Sequence, residues 1–112
     1  MQGLNEHVAA VVIDGDDAAA EVATTCLADS GFEVFRADSG HSGVDAVLHH
    51  EPMLVVMDVD LLGFDGYEVL RRIRQFSNCY VVMLSTRSRE IDAVMAFQAG
   101  ADDFVAKPVR PL

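Results

Sequence analysis

The sequence predicts an α/β domain built on a doubly wound, five-stranded parallel sheet, and three observations lead there. Val8-Ala9-Ala10-Val11-Val12-Ile13, Met53-Leu54-Val55-Val56-Met57 and Tyr80-Val81-Val82-Met83-Leu84 are unbroken apolar runs with adjacent valines. That is the pattern of strands buried on both faces, as in a parallel sheet covered by helices. Segments with helical spacing follow the strand patterns through short connections, and such alternation implies parallel pairing with helices on both faces. Two of the runs stop on a carboxylate, Asp14 and Asp58. Open α/β sheets bind their ligands at that carboxyl edge.

The first strand ends on Asp14-Gly15-Asp16-Asp17. Val22, Ala23, Cys26 and Leu27 then recur at helical spacing, with Asp16 or Asp17 as N-cap and Gly31 as the stop. Phe32-Glu33-Val34-Phe35-Arg36-Ala37 alternates with period two, which places it at a sheet edge. Asp38-Ser39-Gly40 forms a turn, and Val44, Val47 and Leu48 share a helical face until Glu51-Pro52 ends the segment. His7, His41, His49 and His50 lack partners at metal-binding spacing and read as solvated. Asp65-Gly66-Tyr67-Glu68 has the form of a capping box. Val69, Leu70 and Ile73 give the next helix its apolar stripe, with Arg71, Arg72 and Arg74 facing water. Ser88 caps a helix carrying Ile91, Val94, Met95 and Ala99, which Gly100 ends, and the methionines read as core fillers. Asp103-Phe104-Val105-Ala106 is a short fifth strand that ends at Lys107-Pro108.

With 112 residues there is room for one domain, and 51% apolar against 23% charged residues is a globular balance. A net charge of −10 disfavours direct contact with nucleic acid or anionic membrane and suits a cation or a basic partner. Cys26 and Cys79 stand in no metal spacing and read as reduced core thiols of a cytosolic protein. Neither a signal peptide nor the ~18-residue apolar run of a membrane span is visible, so a soluble, cytoplasmic domain is expected. The chain stops at Leu112, where a fifth helix is due. The whole of 1–112 therefore reads as one domain cut before or within its last helix, with part of one sheet face left bare.

Successive strand ends bring Asp14, Asp58, Ser85 and Lys107 to one edge. Two carboxylates about 4 Å apart repel by roughly 4 kcal/mol at an effective dielectric near 20, so such a site calls for a cation. Carboxylates and waters suit Mg²⁺, which takes one or two carboxylates and a phosphate. A carboxylate nucleophile, a metal and a lysine that spreads charge are the parts phosphoryl transfer requires. A hydrolase acting on other molecules is not expected, because no general base accompanies Asp58.

In combination, Asp14-Gly15-Asp16, Asp58, Leu61-Leu62-Gly63-Phe64-Asp65-Gly66, Ser85 and Phe104-Val105-Ala106-Lys107-Pro108 resemble the receiver domain of two-component response regulators over residues 8–112. The resemblance implies a flavodoxin-like strand order of 2-1-3-4-5 and a switch rather than an enzyme. It makes Asp58 the acceptor of a phosphoryl group from a sensor histidine kinase, and Lys107 the charge partner preceding a cis proline. Ser85 is then the hydroxyl that closes on the phosphoryl group, and Phe104 the aromatic switch. Mg²⁺ is implied on Asp14, Asp16, Asp58 and the Asp60 backbone carbonyl. Activation is expected to favour a homodimer. The ending Lys107-Pro108-Val109-Arg110-Pro111-Leu112 resembles receivers joined to winged-helix DNA-binding domains, so DNA contact is expected only through a part absent from this chain.

Three residues depart from the family pattern. Gly15 stands where a second acid usually contacts the metal, Leu62 stands for a proline, and Phe104 lacks the hydroxyl of the common tyrosine. Gly15 supports an alternative reading, a degenerate receiver that works as a phosphorylation-independent interaction module.

Overall fold

The computed structural model describes residues 8–61, 65–86 and 90–107. The strands are β1 (Val8–Ile13), β2 (Phe32–Ala37), β3 (Leu54–Asp58), β4 (Tyr80–Ser85) and β5 (Asp103–Ala106). They alternate with the helices α1 (Asp17–Asp29), α2 (Gly40–His50), α3 (Gly66–Arg74) and α4 (Glu90–Ala99). All strand pairs are parallel, in the order β2-β1-β3-β4-β5. The expected doubly wound sheet is therefore present, with the expected strand order.

Strand alternation sorts the two faces of the sheet. Val11, Ile13, Val55, Met57, Val81 and Met83 point to one face and form the buried core with Val47 of α2, Val69, Leu70 and Ile73 of α3, and Ala96 of α4. On the other face α1 packs on β1 and β2, where Ala10 and Val12 are buried. Further along that face Leu54, Val56, Val82 and Leu84 are only half-buried, and Tyr80 and Val105 are exposed. Among the described residues this face is less completely covered than the other.

Local chemistry sets the helix ends. Asp16 caps α1 by accepting from the Ala18 amide at 3.1 Å, and Gly31 follows the helix at φ +101°, where a side chain would be strained. Ser39 and Ser42 form a full capping box on α2, a feature the turn reading of Asp38-Ser39-Gly40 does not contain. On α3 only half of the expected box is built. Asp65 accepts from the Glu68 amide at 2.9 Å, while the Glu68 carboxylate turns to Arg71 and Arg72.

Several side-chain expectations are corrected. Cys26 is exposed rather than a core thiol, because α1 buries only Ala20 and turns Val22 and Cys26 outward; Cys79 is buried as expected. Leu48 leaves the stripe of α2 and is 59% exposed. Ile91, Val94 and Met95 are also exposed, since α4 packs through Asp92, Ala96 and Ala99 instead. Met57 and Met83 fill the core, whereas Met53 and Met95 do not. Arg74 does not simply face water. Its guanidinium donates to Gly100 O, Ser77 O, Cys79 O and Asp102 Oδ2, joining the end of α3 to the starts of β4 and β5. The expectations for Leu62-Gly63-Phe64, Ser88, the bond to Pro108 and residues 109–112 lie outside the described residues.

Candidate functional site

Three acid–base groups meet at the carboxyl edge of the sheet, and strand parity explains the meeting. Asp58 points to the same face as Val56, and Lys107 follows Val105 on that face across the β4 pairing. Backbone bonds then fix each carrier. The Asp14 amide donates to Ala37 O at 3.0 Å, the Val59 amide to Leu84 O at 3.0 Å and the Lys107 amide to Ser85 O at 2.7 Å. With these anchors in place, Lys107 Nζ reaches Asp14 Oδ2 at 3.1 Å and Asp58 Oδ2 at 3.3 Å. One ammonium thus bridges two carboxylates.

All three groups are largely withdrawn from water. Asp14 is 2% and Asp58 7% exposed, and the Lys107 side chain is 7% exposed. Burial raises the Asp58 pKa above the ordinary carboxylate value, and the Asp14 charge raises it further. The Lys107 ammonium and the Asp60 amide offset this only in part. Burial lowers the Lys107 pKa, but the hydrogen bond to Asp14 and the charges of both carboxylates outweigh it and leave the ammonium above its usual value. The site therefore holds more negative charge than its lysine neutralises. Two converging hard oxygen donors with uncompensated charge fit Mg²⁺, which binds through one or two carboxylates and completes its shell with water or phosphate. Among the described residues no group of three or more His, Cys, Asp or Glu side chains is arranged to hold a metal ion.

The other sequence candidates are distributed around this centre. The Asp16 carboxylate is exposed and caps α1, and its amide donates to Asp14 Oδ1 at 2.9 Å. Asp60 supplies its backbone amide to the Asp58 carboxylate. Ser85 is fully buried and, by alternation, lies on the opposite face with Met83, paired in register with Ala106 beside the half-buried Phe104. Asp14, Asp58 and Lys107 are thus brought into contact, while Ser85 and Phe104 lie together on the side of α3 and α4.

Two further residues belong to the site's architecture. Gly66 approaches so closely that a Cβ there would lie 2.6 Å from Asp58 O and 2.9 Å from Val59 Cα; its amide also donates to Val59 O at 2.6 Å. Only glycine allows α3 to start against the end of β3. Arg36, at the end of β2, donates to the Asp14 carbonyl at 3.1 Å and to Asp17 Oδ1 at 2.7 Å. The Asp17 hydrogen bond holds its guanidinium above the usual value. Its sequence signal was a basic residue at a strand end next to an acidic turn, which a reading of apolar alternation passes over.

Comparisons with known proteins agree with this geometry. The family model for the response regulator receiver domain matches residues 10–112. The transcriptional regulatory protein AfsQ1 of Streptomyces coelicolor is 39% identical over 100 residues, which make up 89% of this chain and 44% of that protein. The chain thus spans less than half the length of that relative. A response regulator structure from Chloroflexus aurantiacus is 32% identical with a TM-score of 0.85, covering 92% of this chain and 87% of that one. The signal receiver domain of NarL from Mycobacterium tuberculosis is 26% identical with a TM-score of 0.84, covering 91% and 85%. With its strand order, its bridged acid pair and a family match over nearly the whole chain, this chain belongs to the response regulator receiver domain family.

Proposed function

We propose that this domain is a phosphoacceptor switch in which Asp58 takes a phosphoryl group from a sensor histidine kinase. Phosphorylation and Mg²⁺ binding characterise the family, whose members interact with histidine kinases and output domains. The observation that carries the reading is the Lys107 ammonium held between buried Asp14 and Asp58 at the carboxyl edge of the sheet. An Asp58 carboxylate oxygen attacks the phosphorus of a phosphohistidine, an O–P bond forms as the P–N bond breaks, and the imidazole leaves as a neutral ring after taking a proton. Lys107 balances charge that develops on the phosphoryl oxygens, and the Asp60 amide orients the attacking carboxylate. Asp14 and Asp58, with Asp16 and the Asp60 carbonyl, would hold Mg²⁺, which would supply further charge neutralisation.

Ser85, buried on the Met83 side of the sheet in this structure, then turns toward the carboxyl edge to close on the phosphoryl group and Phe104 follows it, which biases α4 and β5 toward a homodimer. Phe104 lies on β5, which packs against α4, whose exposed Ile91, Val94 and Met95 give such a surface its apolar character. The domain controls a DNA-binding output part in a longer cytoplasmic protein. AfsQ1, a transcriptional regulator more than twice as long as the matched segment, supports this. Among the described residues no helix is long and apolar enough to cross a membrane.

Gly15 and the capping role of Asp16 favour one alternative, a degenerate receiver that binds partners without phosphorylation. Incubation with acetyl phosphate and Mg²⁺ followed by intact-mass measurement separates the two. A single phosphate adduct that disappears in Asp58→Ala supports the switch. No adduct on the wild-type protein favours the interaction module.

A further inference from the structure

The residue bearing one site carboxylate, Asp14, is held through its whole backbone by β2. Its amide donates to Ala37 O, and its carbonyl accepts from Arg36 at 3.1 Å. The same nitrogen, Nη2, also donates to Asp17 Oδ1 at 2.7 Å, so one guanidinium nitrogen links the first residue of the β1–α1 turn to the start of the helix. Between those points lies Gly15. It is exposed, has no positive φ that would require glycine, and a Cβ there would lie 3.3 Å from Asp38 O. A turn whose middle residue has no side chain has more conformations to lose and no carboxylate of its own to fix it.

As a surface ion pair Arg36–Asp17 contributes little, since the Asp17 side chain is 90% exposed. The bond to the Asp14 carbonyl is different in kind. It fixes the residue whose carboxylate accepts from Lys107 at 3.1 Å and from the Asp16 amide at 2.9 Å. Beside the guanidinium is an open cleft of about 250 Å³ lined by Asp17, Arg36, Ala37, Asp38 and Ser42.

We propose that Arg36 is a positioning residue of the phosphoacceptor site: through the Asp14 carbonyl it holds the β1–α1 turn so that the Asp14 carboxylate stays directed at the cation and Lys107 position although residue 15 has no side chain. The inference rests on the phosphoacceptor reading for its purpose, but its geometry is testable apart from phosphorylation. Electrostatics and positioning predict opposite signs. Removing a positive charge close to an acidic site tightens divalent cation binding, whereas loosening a carboxylate's support weakens it.

Titrating the unphosphorylated protein with MgCl₂ by calorimetry, and following backbone amides by NMR, reads the difference. Arg36→Gln is expected to weaken Mg²⁺ binding about tenfold and to shift the amides of Asp14, Gly15 and Asp16 while the remaining strands keep their positions. Asp17→Asn, which removes the exposed ion pair but leaves the Asp14 carbonyl bond, is expected to stay within about twofold of wild type. Unchanged or tighter Mg²⁺ binding in Arg36→Gln overturns the proposal, as does an equal loss in Asp17→Asn. If acetyl phosphate leaves no adduct on the wild-type protein, the phosphoacceptor reading fails, and the Mg²⁺ and amide comparison still decides the role of Arg36.

Discussion

Asp58 combines two requirements that oppose each other, burial and charge. Its pKa is raised by desolvation and by Asp14, so between the ordinary carboxylate value and that raised value the native state holds a proton the unfolded chain has lost. The unfolded state binds fewer protons in that window, and the contribution of Asp58 to stability falls as pH rises through it. Lys107 gives the same sign of pH dependence in a higher window. With its pKa raised, its contribution is complete below the ordinary lysine value and is lost only as pH rises through the folded value. Asp58→Asn keeps shape and removes the costly charge. It is expected to be more stable than wild type at pH 7.5 by roughly 1 kcal/mol, a few degrees in Tm, with the advantage shrinking as pH falls through the Asp58 window. Urea melts of both proteins across pH 4 to 8 measure this difference, and an advantage that stays constant with pH contradicts it. A sequence shows that Asp14, Asp58 and Lys107 end strands. That one ammonium serves both acids depends on which face each strand end presents.

At the scale of elements, the end of the sheet opposite the site is secured by one side chain. Arg74 makes four hydrogen bonds, to Gly100 O, Ser77 O, Cys79 O and Asp102 Oδ2, and Asp102 Oδ2 also accepts from the Val81 amide at 2.8 Å. The end of α3 and the two loops leading into β4 and β5 therefore share a single guanidinium. Arg74→Ala should destabilise the domain by about 2–3 kcal/mol, because it leaves carbonyls and a carboxylate without their charged donor. Arg71→Ala, on the exposed side of the same helix, should cost under about 0.5 kcal/mol. Chemical denaturation of the two variants checks the contrast, and equal effects would contradict it. Charge pattern alone gave these arginines one solvated face. Only the packing of α3 against the sheet turned Arg74 inward. For α4 the pattern erred the other way, since the stripe of Ile91, Val94 and Met95 reads as core while these residues are exposed.

For the whole molecule, a net charge of −10 means that folding concentrates repulsion, so any salt should stabilise the domain by screening. A bound cation adds a separate increment of RT ln(1 + [L]/Kd), about 2.7 kcal/mol at one hundred times Kd. At matched ionic strength MgCl₂ should raise Tm further than NaCl in the wild-type protein and no further than NaCl in Asp14→Asn. Thermal melts followed by far-UV circular dichroism make the comparison. An identical response of the two proteins would show that Mg²⁺ acts by screening alone. The sequence by itself determined the five strands, their alternation with helices and the acids at the strand ends, because apolar periodicity and turn chemistry are local properties of the chain. Tertiary structure decided the contacts between those ends: Lys107 against Asp14, 93 residues away, Ser85 on the opposite face, Arg36 on the Asp14 carbonyl, and Gly66 against Asp58. Each depends on strand register and parity, and these are set only when non-adjacent strands pair and the helices cover them.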